Sequence, residues 1–263
     1  MTNSKLQNPW LAERTLLTSL LILTVVPILS GCDSSQSEPQ SAMRQMRRVV
    51  ALLHTHLRMQ GRKGFPESDH RATDGTVTCS WRLTVLDQAE DGFDLEQSWK
   101  SPVNQMGSER DAKWFAVTSR SNPSPFAQVF GLVGAGTAFT EYEFTKERDL
   151  SDAEPDAILL IDAKNQLIRW QEPGDIHVNS LRYSHSAFRD LEPNYSDGFL
   201  IAFVDGAVWR IKKDVPKDVI EPFFTLEGAK SHDREVELAP YALDKVPPLP
   251  KVDGKYVFPE TGK

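Results

Sequence analysis

Cysteine is scarce in this sequence, with only Cys32 and Cys79 among 263 residues. If the thiol of Cys32 is chemically modified, Cys79 is the only free thiol left. No intrachain disulfide can then form, even in an oxidising compartment.

Positive charge is also in short supply, since 30 lysines and arginines stand against 37 aspartates and glutamates, for a formal net charge of -7. A chain this acidic lacks the basic surface through which proteins bind nucleic acid, so we expect no nucleic-acid partner. Hydrophobic residues make up 40% and charged residues 25% of the sequence, which is typical of a globular protein.

Long hydrophobic runs are absent apart from residues 16–29, which several polar residues and Pro27 interrupt. This run is shorter than the roughly 20 apolar residues that span a bilayer comfortably. Lys5 and Arg14 precede it and small residues follow it. The pattern is therefore typical of a cleaved signal peptide.

The end of this run, Leu29-Ser30-Gly31-Cys32, resembles the bacterial lipobox, and the polar segment DSSQSEPQS follows it. The resemblance implies that residues 1–31 are a lipoprotein signal peptide and that Cys32 becomes the acylated N-terminus. Three acyl chains of the palmitate type, each buried methylene contributing roughly 0.8 kcal/mol, would hold the protein permanently at a membrane. The alternative is an uncleaved membrane helix with an incidental Cys32.

A helix is predicted after a flexible tether of residues 32–41, whose composition is too polar to pack. Ser41 is a plausible N-cap, and Gly61 and Gly64 are expected to end the helix. Apolar residues follow one another at steps of three and four and form one face. They are Met43, Met46, Val50, Leu53 and Leu57.

Strands are predicted from Thr76 onward, because the apolar runs become short and rich in β-branched residues. TVTCSWRLTVL predicts one strand, in which Cys79 is half-buried and inert, and AILLIDAKNQLIRW predicts two strands around a turn. FLIAFVDGAVWRI predicts a hairpin, since Asp205-Gly206 favours a type I′ turn whose central residues both need positive φ. This turn role accounts for Asp205 without a catalytic one.

The C-terminal part predicts a short closing helix at residues 217–224 and then a tail. Residues 234–263 are rich in proline and lack periodicity, so we expect an extended segment, with a proline-rich docking peptide as the functional alternative. Residues 42–233 between the tether and this tail are predicted to form the domain proper.

Several blocks occur in an order similar to that of the bacterial domain-of-unknown-function family 1559, which is abundant in planctomycetes and described as pseudopilin-like. The resemblance covers roughly residues 43–230. It implies an α+β, pilin-like fold in which an N-terminal amphipathic helix packs on an antiparallel β-sheet. The blocks are Phe65-Pro66, Ser80-Trp81-Arg82, Trp99 with Ser101-Pro102 and Asn104, Gly134 to Phe139, Trp170 with Pro173, and the Asp205-Gly206 hairpin.

The sequence departs from the family pattern at several points. The family's C-terminal signature is a His, nine residues and Asp-Gly, whereas Tyr195 stands at that position here. His185 lies further upstream, so either an insertion has displaced it or the signature His is lost. Asp162 stands where the family often has Glu, and Lys100 where it is often acidic. A lipoprotein signal replaces the family's prepilin leader and long apolar helix, which puts filament assembly in doubt.

No motif for catalysis, metal or cofactor stands out. His54 and His56 are two residues apart on the predicted helix, so they point to nearly opposite faces and cannot chelate one ion together. GLVGAGTAF lacks the spacing of a dinucleotide or phosphate loop, and the Ser-His neighbours in SHSAF and SHDRE are adjacent only in sequence. We predict no cofactor, no metal site and no enzyme activity, although a zinc site built from distant residues stays open.

Two classes of function follow. The first is a lipid-anchored, extracytoplasmic protein of the cell envelope that is not an enzyme and docks an envelope protein or a secretion or pilus-like assembly. The second is a carbohydrate- or peptide-binding, or hydrolytic, lipoprotein. For the second class, a sugar-stacking face would have to come from tryptophans that are mostly expected in the core, namely Trp81, Trp99, Trp114, Trp170 and Trp209. An acidic or aromatic cleft would favour the second class, and an apolar patch along the helix the first.

Overall fold

A computed structural model describes residues 38–60, 64–87, 92–106, 112–118, 125–139, 154–182, 188 and 190–257. From Glu38 onward the chain forms one compact unit. The predicted signal peptide, its motif Leu29-Ser30-Gly31, the lipidation site Cys32 and His185 lie outside the described residues.

A six-stranded sheet forms the centre of this unit, in the spatial order β5-β3-β4-β6-β7-β8. All neighbouring strands are antiparallel except β3 and β5, which are parallel. The α+β class with a mostly antiparallel sheet is therefore confirmed. The strands are β3 (Val129–Val133), β4 (Ile158–Asp162), β5 (Ile176–His177), β6 (Gly198–Phe203), β7 (Val208–Lys212) and β8 (Ala242–Val246), with two-stranded pairs formed by β1 (Asp69–Arg71) with β2 (Val77–Ser80) and β9 (Lys251–Val252) with β10 (Lys255–Tyr256).

Helix α1 (Glu38–Gln60) packs on β6, β7 and β8. Its predicted apolar face is confirmed, because all five of its residues are buried. Burial extends further around the helix, since α2 (Trp81–Asp87) and a 3-10 turn at Ala112–Phe115 contact it as well. Ser41 lies inside the helix, so the predicted N-cap is wrong, and the tether predicted for residues 32–41 is wrong for residues 38–41, which belong to α1. The remaining helices are short, namely α3 (Pro102–Gln105), α4 (Val178–Arg182), α5 (Lys217–Ile220) with a 3-10 turn at Glu221–Phe224, α6 (Leu226–Ala229), and α7 (Arg234–Glu237) with a 3-10 turn at Ala239–Tyr241.

The prediction of a single strand for TVTCSWRLTVL is wrong after Ser80. The strand β2 stops there because the Ser80 hydroxyl accepts a hydrogen bond from the backbone N–H of Arg82 at 3.0 Å. A serine oxygen bonded to the second N–H of a helix is an N-cap, and α2 starts at Trp81. Cys79 is fully buried in β2 rather than half-buried.

The second strand predicted within AILLIDAKNQLIRW is also absent from the structure of residues 154–182. After β4, the backbone of Ile168 and Trp170 bonds instead to residues 125–127, through Ala127 N–H to Ile168 O (2.8 Å) and Trp170 N–H to Pro125 O (3.2 Å). The predicted closing helix at 217–224 is present as α5 and the 3-10 turn that follows it.

The extended tail predicted for residues 234–263 is wrong for its described part, residues 234–257. Strand β8 in this segment pairs with β7 and forms an edge of the main sheet. Arg47 of α1 donates to the carbonyl of Pro248 at 2.7 Å, and Leu249 is buried. Prolines break the segment into short pieces, but tertiary contacts hold each piece. None of the helices in the described ranges is both long and apolar enough to cross a bilayer.

Candidate functional site

Asp205 and Gly206 lie in the turn between β6 and β7. The Phe203 N–H donates to Ala207 O and the Gly206 N–H to Phe203 O, both at 2.9 Å. Gly206 has a φ of 82°, whereas Asp205 does not share the positive φ that a type I′ turn requires. The turn therefore has one left-handed residue instead of the predicted two. The Asp205 carboxylate also accepts a hydrogen bond from the backbone N–H of Ala207 at 2.9 Å.

The turn role does not fully account for Asp205, because its carboxylate also forms a buried ion pair with Arg234 of α7. Both residues are buried, and Arg234 Nε lies 3.3 Å from the carboxylate of Asp156. The guanidinium also stacks over Phe203, with 4.6 Å to the ring centroid. Each charge in the buried pair is neutralised by its partner. The cluster therefore links the hairpin to the C-terminal segment and offers no reactive group.

A second buried ion pair joins Arg82 of α2 to Asp175, at 2.8 Å. Arg82 also donates to the carbonyls of Trp170 (2.9 Å) and Gly174 (2.7 Å). Asp175 accepts from the indole N–H of Trp81 and from the backbone N–H of Gly131. Ser80-Trp81-Arg82 and the Trp170 block are thus brought together around a carboxylate that sequence reasoning missed. All of these donors and acceptors are engaged with one another, which is the arrangement of a structural polar core.

The five tryptophans that the structure describes do not form an exposed sugar-stacking face. Trp81, Trp170 and Trp209 are fully buried, and Trp99 and Trp114 are partly buried against the core. The expectation that most of them are core residues is confirmed. The carbohydrate alternative loses the observation that motivated it.

The histidines that the structure describes are not assembled into a metal centre. His54 Nε2 lies 2.7 Å from the carbonyl of Val204, and burial lowers the pKa of His54. His232 Nδ1 lies 2.9 Å from Glu237. Among the described residues, no group of three or more His, Cys, Asp or Glu side chains has the geometry to hold a metal ion.

A polar cleft of about 400 Å³ opens beside the C-terminal half of α1. His56 of α1 and Thr84 of α2 form part of its wall, and the segment of residues 66–75 around β1 forms much of the rest. That segment contributes two carboxylates, an imidazole and a guanidinium, from Glu67, Asp69, His70 and Arg71. The mixture of charges suits a polar ligand better than an apolar one.

Asp162 at the end of β4 is fully buried. It accepts hydrogen bonds from the backbone N–H (3.2 Å) and the side-chain amide (3.0 Å) of Asn194 and from the backbone N–H of Leu200. Burial raises the pKa of Asp162 to about 7, although these hydrogen bonds oppose the shift. Burial raises the pKa of Tyr195, which stands where the resemblance to family 1559 would place a His, and the negative charges of Glu38 and Asp162 raise it further.

Comparison of the chain with protein families, with characterised proteins and with solved structures gave no match in any of the three. The resemblance to family 1559 therefore stays a prediction.

Proposed function

We propose that this protein is a lipid-anchored component of the cell envelope, outside the cytoplasm, and that its pilin-like domain acts as a docking module rather than as an enzyme. The observation that carries the proposal is the lipobox-like Leu29-Ser30-Gly31-Cys32. Helix α1 begins six residues after Cys32, which leaves room for a short polar tether and little else.

The length of α1 sets how far the cleft lies from the start of the domain. The tether joins the domain at Glu38, and His56 of the cleft lies 18 residues further along the same helix. At 1.5 Å per residue, this separation is about 27 Å. The cleft would therefore lie well away from the anchored end of the domain.

The pilin-like part of the proposal is supported by an N-terminal helix that packs on an antiparallel sheet. The exposed side chains of α1 are mostly polar, including Ser41, Arg48 and Arg58, with Met59 as the apolar exception. A helix without a continuous apolar outer face is poorly suited to pack against copies of itself. We therefore propose single anchored molecules rather than a filament built through α1.

Labelling with a radioactive or clickable fatty acid in the native host tests the anchor. We expect the wild-type protein to be labelled and membrane-bound, and Cys32→Ser to lose both properties. Cys79→Ala is the matched control, because Cys79 is buried in β2 and should not affect labelling. Labelling that survives in Cys32→Ser, or that disappears in Cys79→Ala while that variant still folds, would contradict the proposal.

A pull-down of the intact lipoprotein from its own envelope tests the docking role. We expect a stoichiometric envelope protein to copurify with wild-type protein. A second variant, carrying Glu67→Lys and Asp69→Lys, replaces both acidic groups of the cleft wall with basic ones. Loss of the copurifying protein in this variant would place the docking surface at the cleft.

The cleft also supports a second candidate function, binding of a short peptide or another small polar ligand. Its two carboxylates, Arg71 and His70 can bind ligand groups of either charge, while His56 is a buried part of the wall. Titration with trilysine, triglutamate, trialanine and chitotriose, followed by NMR shifts of His56 and His70, tests this directly. Shifts that saturate with one of these probes and vanish in the double charge-reversal variant would favour ligand binding over protein docking.

A further inference from the structure

Asp162 is a buried carboxylate held by N–H donors alone. Its side chain is fully buried, and its three hydrogen bonds come from Asn194 and Leu200. Within the described parts of the chain, Asp162 takes part in no ion pair. This differs from the buried carboxylates of Asp175 and Asp205, each of which faces an arginine.

Among the residues that the structure describes, no charged or titratable group around Asp162 compensates its charge. Strands β3 and β6, which flank β4, contribute no titratable side chain. Arg210 of β7 is already paired with Asp197 at 2.9 Å and Asp244 at 2.6 Å. Three of the other described groups in this region are acidic, namely Glu38, Asp190 and Glu192. Lys164 is exposed to solvent, and Tyr195 is neutral because burial raises its pKa.

Residues 190–197 form a surface loop, here called the cover loop, that lies against Asp162 and contains no fully buried residue. Asn194 in this cover loop makes two of the three hydrogen bonds to the carboxylate. The loop is also held at Asn165, whose side chain donates to Asp190 O at 3.1 Å and accepts from Glu192 N–H at 3.2 Å. Movement of this loop would therefore break two of the three hydrogen bonds to the Asp162 carboxylate.

We propose that Asp162 and the cover loop form a pH-sensitive latch, which protonation of Asp162 closes and ionisation loosens. A neutral carboxyl is easily buried, whereas an ionised one without a cation gains hydration when the loop opens. When the carboxyl carries its proton, the Asn194 amide can turn its oxygen toward it and accept a hydrogen bond. This latch does not depend on the lipid anchor or on the docking role.

The direction of the effect follows from linkage. Burial raises the pKa of Asp162 from 3.8 to about 7 when the loop is closed, and opening returns it toward the ordinary value. The closed state therefore binds the proton more tightly, so closure is favoured in acid and lost as the pH rises through about 7. A difference of about three pKa units changes the opening equilibrium by up to about a thousandfold.

The latch acts at the end of the domain where the tether begins. Tyr195 in the cover loop donates to the carbonyl of Val117 at 2.9 Å and lies 3.5 Å from the carbonyl of Glu38. Glu38 is the first residue of α1. Opening of the loop would release this contact and loosen the start of the helix.

Two NMR measurements on the folded protein test the latch. The ¹³C carboxyl shift of Asp162 between about pH 4 and pH 9 reports its titration. Hydrogen exchange of Asn194, Tyr195 and Leu200, corrected for intrinsic rates, reports loop opening at about pH 5 and pH 8.5. We expect a titration near neutral pH and a protection factor that falls at least tenfold at the higher pH.

Two variants distinguish pH-dependent opening of the cover loop from a loosening of the loop that does not involve the Asp162 carboxyl. In Asp162→Asn, which stays neutral, the protection of the loop should not depend on pH. In Asn165→Ala, which removes loop contacts but keeps the carboxyl, protection should fall at both pH values and retain its pH dependence. A carboxyl that titrates near 4, or wild-type protection that is the same at both pH values, would overturn the inference. Both of these readings come from wild-type protein, so they hold even if a variant does not fold.

Discussion

Leu249 packs directly against Gly206 and leaves no room for a side chain there, because a Cβ atom added to Gly206 would lie 2.5 Å from Cγ of Leu249. Leu249 is buried, and its N–H donates to the carbonyl of Asp205 at 2.9 Å. The β6–β7 turn is thus closed by a residue from the segment that the sequence predicts to be a free tail.

Gly206→Ala tests this contact. We expect the substitution to lower the free energy of unfolding by about 2–4 kcal/mol, because it adds an unfavourable φ to an overpacked contact. Gly75→Ala is the control, since Gly75 has a similar φ of 86° but nothing within 4 Å of an added Cβ. It should cost only about 1–2 kcal/mol, from the unfavourable φ alone. Urea denaturation measures both, and equal losses would show that Leu249 is not the cause.

Arg234→Met tests the buried cluster that joins α7 to the hairpin. The variant leaves the Asp205 carboxylate buried without its cation, and we expect a loss of about 3–5 kcal/mol in the free energy of unfolding. Lys230→Met removes a Lys230–Glu227 pair whose side chains are 52% and 86% exposed. It should change stability by less than about 0.5 kcal/mol. If the two variants unfold at the same urea concentration, the cluster contributes nothing to stability.

Arg82→Lys tests the polar core around Asp175. Lysine keeps the charge, but it cannot reach Asp175 and the carbonyls of Trp170 and Gly174 at the same time, as the fork of Arg82 does. We expect a loss of about 2–4 kcal/mol from the acceptors left without donors. Arg48→Lys, at an exposed site on α1, should be nearly neutral. A tolerated Arg82→Lys would mean that charge alone is sufficient at this site.

The pH dependence of global stability provides a further prediction. The pKa of Asp162 is raised by folding, so its stabilising contribution is complete below about pH 4 and is lost as the pH rises through about 7. Three pKa units correspond to about 4 kcal/mol at most. Urea denaturation at a series of pH values should therefore give a smaller decline for Asp162→Asn than for wild-type protein. Parallel curves would contradict a shifted Asp162.

Local patterns in the sequence predict part of this fold. The apolar face of α1 repeats at helical spacing, and the hairpin has two apolar runs around Asp205-Gly206, so both features are visible in a short window. Helix α2 is missed because four of its residues are completely or almost completely buried apolar side chains and Arg82 is buried too. Among its residues with described side chains, only Thr84 is polar and partly exposed, which is too little to show a helical period, and only the Ser80 cap marks its start.

The buried ion pairs could not be predicted in the same way. Arg82 and Asp175 are 93 residues apart, and Arg234 and Asp205 are 29 apart. Nothing in the local sequence selects these partners, because the packing of separate elements brings them together. The same holds for β8, whose pairing with β7 outweighs the low strand propensity of a proline-rich segment.

The contact between Arg47 and Pro248 spans 201 residues of chain. A polypeptide that leaves a ribosome or a membrane channel with its N-terminus first presents α1 long before Leu249. Until residue 249 has emerged, the turn at Gly206 stays uncovered and β7 lacks its neighbour β8. Between the emergence of β7 and that of β8, the nascent chain therefore exposes an open sheet edge, and it needs protection from aggregation over that interval.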